Sequence, residues 1–284
     1  MHWKTMRAGS GGLVHVLSEF HERPAGNGRW SDLYLRVASA LVLGPLALFC
    51  LWRGGLAWSL LIGVAMAGLG HEWARLARLS QTWTLGGLQL LAWVVMLLFG
   101  FQFGLQSIVI ITFITWLAFG RFAAVGMPYA GLGGLCLIWL RNRPGVGLSD
   151  TAFLILVIWG TDIGAYAVGR LLGGAKLAPR ISPGKTWSGA LGGLVLGAAC
   201  GAGLAAATLG DSGYAFSVGL VLSFVAQAGD LLESAIKRKL GVKDSARTIP
   251  GHGGLFDRLD GFLTAAPLAA LLAASMQGGM GLWG

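Results

Sequence analysis

The chain has 284 residues, 55% of them hydrophobic and only 12% charged, with a mean hydropathy of +0.69. A soluble domain carries about 25% charged residues, so this composition excludes an ordinary soluble protein and points to many membrane helices. The net charge of +9 would suggest nucleic acid in a soluble chain; here it reads as basic loops beside anionic membrane lipids, and no nucleic-acid partner is expected.

Along the chain, Met1–Arg29 is polar and Gly-rich and lacks the apolar core of a signal peptide. Residues 1–30 are expected to form a cytoplasmic tail, with a weak helical signal at Leu13–Phe20. Apolar segments follow at Leu35–Trp52, Gly55–Leu69, Leu85–Phe101, Leu105–Phe119, Tyr129–Leu140, Thr151–Val168, Thr186–Leu209, Gly213–Leu232 and Gly261–Met276. A bilayer needs about 20 residues per helix. The expected fold is therefore an all-α polytopic membrane protein of about nine transmembrane helices around a cytoplasm-facing polar cavity. Tyr129–Leu140 is short, and a re-entrant or tilted segment there would make the count eight. Residues 31–150 form the expected N-terminal transmembrane region and 151–284 the expected catalytic one.

With the N-terminus inside, only Arg53, Arg141 and Arg143 of the 21 Lys and Arg residues fall outside. That bias fixes the orientation and places the two late basic loops in the cytoplasm, where nucleotides are. The expected location is the inner, or plasma, membrane. Cys50, Cys136 and Cys200 lie in apolar stretches without metal-ligand spacing and read as small buried residues. Gly189, Gly193, Gly197 and Gly201 form a stripe for close helix contact, serving either packing within the chain or a homodimer.

Three segments carry the chemistry. The loop Lys176–Thr186 ends in Gly184-Lys185-Thr186, like a P-loop, but Pro179 stands where a Gly would be needed and no strand is expected before it. What remains is a basic turn opening a helix, where Ser182, Lys185 and Thr186 could donate to phosphate oxygens or merely cap the helix. Asp162 and Asp230 sit in or at the end of apolar segments, where a carboxylate costs a few kcal/mol unless it faces a polar cavity. Glu233 is three residues from Asp230, and Lys237 and Arg238 follow on the same helix. Lys237 shares the face of Asp230 and Glu233, whereas Arg238 points about 100° away. The third segment is Pro250-Gly251-His252-Gly253-Gly254 followed by Asp257-Arg258-Leu259-Asp260. Asp257 and Asp260 share a helix face, and two carboxylates beside fixed cations suit Mg²⁺ holding phosphates. His252 could touch a phosphate or simply hold the turn. His71-Glu72, beside Arg75 and Arg78, reads as an interfacial salt-bridge cluster.

These residues resemble the phosphatidate cytidylyltransferase (CDP-diglyceride synthetase) family. Its pattern S-x-x-K-R-x4-K-D is matched by Ser234, Lys237, Arg238, Lys243 and Asp244, and P-G-H-G-G-x-x-D-R-x-D by Pro250 to Asp260. Gly229-Asp230, Glu233-Ser234, Ser182-Pro183-x-Lys185-Thr186 and Asp162-x-x-Ala165-Tyr166 also match, so the resemblance is specific from about Trp159 onward. Ala246 departs from the Gly of many members. The resemblance implies the reaction of CTP with phosphatidate to give CDP-diacylglycerol and pyrophosphate, with CTP and phosphatidate as partners. It implies Asp230, Asp257 and Asp260 as ligands of Mg²⁺, with a second cation such as K⁺ beside it. Catalysis would fall to these three and Lys237, and substrate binding to Ser182, Lys185, Thr186, Arg238, His252 and Arg258. Two other readings stand beside it: a CTP-dependent transferase or kinase acting on another membrane lipid, and an ion-coupled transporter. The transporter leaves the dense charged C-terminal loop unexplained.

Overall fold

The computed structural model describes residues 28–246, 248, 253–276 and 281–283. Residues 1–27 of the expected tail and His252 lie outside them, and the tail's last three residues, 28–30, open the first helix. The described residues form nine helices and one hairpin. The helices are α1 (Gly28–Arg53), α2 (Gly55–Leu76), α3 (Trp83–Phe99), α4 (Phe101–Phe119), α5 (Arg121–Arg141), α6 (Gly147–Leu172), α7 (Trp187–Ala207), α8 (Ser212–Lys239) and α9 (Phe256–Ser275). The hairpin joins β1 (Lys176–Ala178) and β2 (Ser182–Thr186), antiparallel, with Ala178 opposite Ser182. It replaces the simple turn expected between α6 and α7.

Local chemistry sets the helix ends. Single glycines at positive φ, Gly54, Gly100 and Gly120, separate α1 from α2, α3 from α4 and α4 from α5, a conformation costly for residues with a Cβ. Asp211 caps α8, its Oδ1 accepting from Gly213 N and Tyr214 N at 2.9 Å. The same helix ends in Lys237, Arg238 and Lys239, cations suited to the negative end of its dipole.

Among the described residues five helices, α4 to α8, are long and apolar enough to cross a membrane, and large apolar side chains such as Leu98, Val109 and Ile163 stand on the outside. The described residues are those of an all-α membrane protein apart from the hairpin. The short segment Tyr129–Leu140 is the later part of one continuous 21-residue helix, α5. Its apolar window is 72% buried, against 22–39% in the other four, because α5 packs against α2, α4 and α9 in the middle of the molecule. The helix α9 packs on both α5 and α8, and so joins the N-terminal helices to the later ones.

The glycine stripe is used within the chain. A Cβ at Gly189 would lie 2.7 Å from Ala165 O, at Gly193 2.8 Å from Thr161 O and at Gly197 2.8 Å from Val157 O. Helix α6 therefore lies backbone to backbone on α7. Two of the three arginines expected outside have structural partners. Arg141 donates to Leu51 O at 2.5 Å and Trp52 O at 2.8 Å, closing the end of α1. Arg143 pairs with fully buried Asp150, which also accepts from Leu282 N at 2.8 Å.

Candidate active site

The later half of α8, the start of α9 and the hairpin converge on one group of charged side chains. Asp230 and Glu233 lie three residues apart on α8, so one face carries both. Asp260, one turn into α9, completes a triad in which one carboxylate oxygen from each residue lies within 4.8 Å of the other two. Asp162 of α6 is in electrostatic range of Asp230 and Asp260. So many carboxylates gathered this closely repel one another and call for cations.

Two lysines supply positive charge. Lys185 of β2 reaches Asp230 Oδ2 at 2.5 Å. Lys237, one turn beyond Glu233, donates to Asp257 Oδ1 at 2.6 Å and lies 3.2 Å from Glu233 Oε1. The second approach lacks hydrogen-bond geometry, so Glu233 Oε1 is a buried oxygen without a hydrogen-bond donor among the described residues.

Asp257 meets the triad at Glu233, with which it shares the Lys237 ammonium, and it also faces the loop. Its Oδ2 accepts from Gly254 N at 3.0 Å and from Ser245 N at 3.2 Å, and Ser245 Oγ lies 3.2 Å away. The structure thus brings together Asp230, Asp260, Lys185, Lys237 and Asp257, and adds Glu233 to the carboxylates that cluster with Asp230 and Asp260. Arg238 is directed elsewhere: its Nε donates to Ile181 O at 3.1 Å, tying the end of α8 to the hairpin turn. Thr186 is buried and caps α7, its Oγ1 accepting from Gly189 N at 3.1 Å. Ser182 is half-buried on β2, and Arg258 is exposed on the first turn of α9.

Sequence reasoning missed two side chains here. The hydroxyl of Tyr129, on α5, is buried without a hydrogen-bond partner among the described residues. Its ring stacks on Phe256 with centroids 5.7 Å apart, and Glu233, Asp260 and Asp230 are its electrostatic neighbours. Glu72 on α2 forms no ion pair with Arg75 or Arg78 among the described residues; it accepts four hydrogen bonds from the segment between α8 and α9 and the first residue of α9.

The donor set fits a hard divalent cation. Three clustered carboxylates offer oxygen ligands at the spacing one ion can bridge, and one of their buried oxygens is still without a hydrogen bond.

Comparison with known proteins agrees with this chemistry. The profile of the cytidylyltransferase family matches residues 34–276. The phosphatidate cytidylyltransferase of Brucella suis biovar 1 (strain 1330) is 41% identical over 259 residues, covering 86% of this chain and 94% of that protein. The phosphatidate cytidylyltransferase of Pseudomonas aeruginosa is 37% identical over 278 residues, covering 86% and 98%. That of Bacillus subtilis (strain 168) is 40% identical over 161 residues, covering 54% and 58%. The match extends through the N-terminal helices, well beyond the charged motifs, and the chain belongs to the cytidylyltransferase family.

Proposed function

We propose that this protein is a phosphatidate cytidylyltransferase, joining CTP and phosphatidate into CDP-diacylglycerol and releasing pyrophosphate. The observation that carries the reading is the Asp230–Glu233–Asp260 triad flanked by Lys185 and Lys237 at the end of a membrane helix. An enzyme that unites two polyanions needs this alternation of charge. The names of its relatives supply the substrate class.

In the reaction an oxygen of the lipid phosphate attacks the α-phosphorus of CTP. A new P–O bond forms there, the bond to the bridging oxygen breaks, and pyrophosphate leaves with that electron pair. A phosphate monoester has a second pKa near ~6, so the nucleophile is already largely deprotonated at neutral pH and no strong base is required. The chain's own residues act by position and charge. Asp230, Glu233 and Asp260 would hold Mg²⁺, which when bound neutralises phosphate charge and orients the triphosphate. A second ion such as K⁺ would share this acidic neighbourhood, with Asp162 at its border. Lys237, held by Asp257, presents a fixed ammonium to the phosphates. Lys185 and Ser182 bring donors from the hairpin, and Arg238 and Arg258 lie at the rim for the lipid phosphate.

The nine helices serve as nine spans, with the hairpin and the α8–α9 segment on the cytoplasmic side, where CTP is. The basic character of both segments supports that orientation. The test is pyrophosphate release by purified protein given CTP and a panel of lipid phosphates in mixed micelles. Release with phosphatidate, and little with isoprenyl or sphingoid phosphates, is expected. No CTP-dependent release with phosphatidate would refute the reading.

A further inference from the structure

Glu72 lies in α2, remote in sequence from every charged motif, and it is 0% exposed. A buried carboxylate must be compensated, and here the compensation among the described residues comes from the α8–α9 segment and the first residue of α9. Oε2 accepts from Ser245 Oγ at 2.9 Å and Phe256 N at 3.0 Å. Oε1 accepts from Leu255 N at 2.7 Å and Thr248 Oγ1 at 2.5 Å. Two of these donors are backbone N–H groups at the start of α9, which have no partner within their own helix, and a negative charge there is favoured by the helix dipole. The segment is thereby gathered onto α2 from both ends. At Gly254 the backbone runs too close for a side chain: a Cβ there would lie 2.8 Å from Glu72 Oε2 and collide with Ser245 Oγ. That explains, without reference to substrate, why a glycine stands at this place in the motif.

Ser245 links this anchor to the site. Its Oγ lies within hydrogen-bond distance of both Glu72 Oε2, at 2.9 Å, and Asp257 Oδ2, at 3.2 Å, while its N–H donates to Asp257. Asp257 in turn holds Lys237. The chain of contacts runs Glu72, Ser245, Asp257, Lys237.

We infer that Glu72 is a positioning residue for cytidylyl transfer: it moors the α8–α9 segment and, through Ser245, sets the Asp257–Lys237 pair against the acidic triad. The inference rests on the site reading above. Loss of the mooring should displace Lys237 without removing any group that touches substrate, and a misplacement of about 1 Å costs on the order of 100-fold in rate.

The experiment is steady-state kinetics on full-length Glu72→Gln, Glu72→Asp, Ser245→Ala and the Glu72→Gln/Ser245→Ala double variant, with thermal melts of each and Asp257→Asn as reference. In Glu72→Gln kcat should fall roughly 10- to 100-fold with both KM values little changed, and Glu72→Asp should recover part of it. The double variant should be no worse than Glu72→Gln alone, because both changes cut one path. Wild-type kcat in folded Glu72→Gln, or single losses that simply multiply in the double variant, would overturn the inference. If Glu72→Gln does not fold, Ser245→Ala decides, and wild-type kcat there overturns it. An active Asp257→Asn would instead overturn the site reading itself.

Discussion

Lys237→Met is the sharpest perturbation of the site. Lys237, Glu233 and Asp257 have side chains 13%, 6% and 14% exposed, and the ammonium lies 3.2 Å and 2.6 Å from the two carboxylates. At an effective dielectric of about 20, unit charges ~3 Å apart interact by roughly 5 kcal/mol. Burying the ammonium offsets much of this, and breaking such a group by deleting one partner typically costs about 3–5 kcal/mol. That is a large part of a protein's total stability, so folding and catalysis must be read separately. Met replaces the aliphatic stem of lysine and omits the terminal ammonium, so the change falls mainly on charge and hydrogen bonding. With the cation gone, the loss in kcat/KM should be at least ~100-fold, or about 2.7 kcal/mol in the transition state. The assay varies CTP and phosphatidate separately in mixed micelles and records a melt of each variant. Adding Glu233→Gln should restore part of the stability, by removing one unpaired carboxylate, and none of the activity. A folded Lys237→Met enzyme with unchanged kcat/KM for both substrates would refute the reasoning.

Asp257→Asn should abolish turnover, because an amide cannot accept from Lys237 and from the Ser245 and Gly254 donors together; near wild-type rates at saturating Mg²⁺ would remove Asp257 from the machinery. Arg238→Lys should raise the lipid KM several-fold and leave that for CTP nearly unchanged, since a point charge cannot both hold Ile181 O and meet a phosphate as a fork does; a defect confined to CTP would reassign its role. A cysteine at exposed Arg180, in the hairpin turn, should be shielded from impermeant thiol reagents in intact cells and react in inverted vesicles, and one at Ser212 should do the opposite. Between the two ends of α8 lie 28 residues, or about 42 Å of helix, so the two positions cannot share a side; labelling of position 180 from outside would invert the topology.

What could be read from the sequence was what depends on neighbours in the chain. Apolar runs announce helices locally, and the charged motifs lie close enough together to suggest one site. The hairpin was hidden because Ser182-Pro183-Gly184-Lys185-Thr186 has the residues of a turn, and its partner strand is only three residues long. Periodicity set Glu233 beside Asp230 but could not say which carboxylate of α9 would meet them. Asp257 and Asp260 share a face in an isolated helix, yet Asp257 belongs to the first turn, where free N–H groups compete for it. Its bond from Gly254 N, three residues back, resembles the reciprocal half of a capping box, a signal present in the spacing. Glu72 gave no local signal. Its donors Ser245 and Phe256 lie 173 and 184 residues away, and beside Arg75 and Arg78 it looks like part of a surface ion-pair cluster. Yet a glutamate at the end of an apolar helix has two ways to be satisfied, by solvent and cations or by a loop that folds over it. Here the loop does so, because its own N–H groups at the start of α9 lack acceptors; each side supplies what the other would otherwise leave unpaired. That mutual need ties the N-terminal helices, which carry none of the charged motifs, to the reacting end of the molecule.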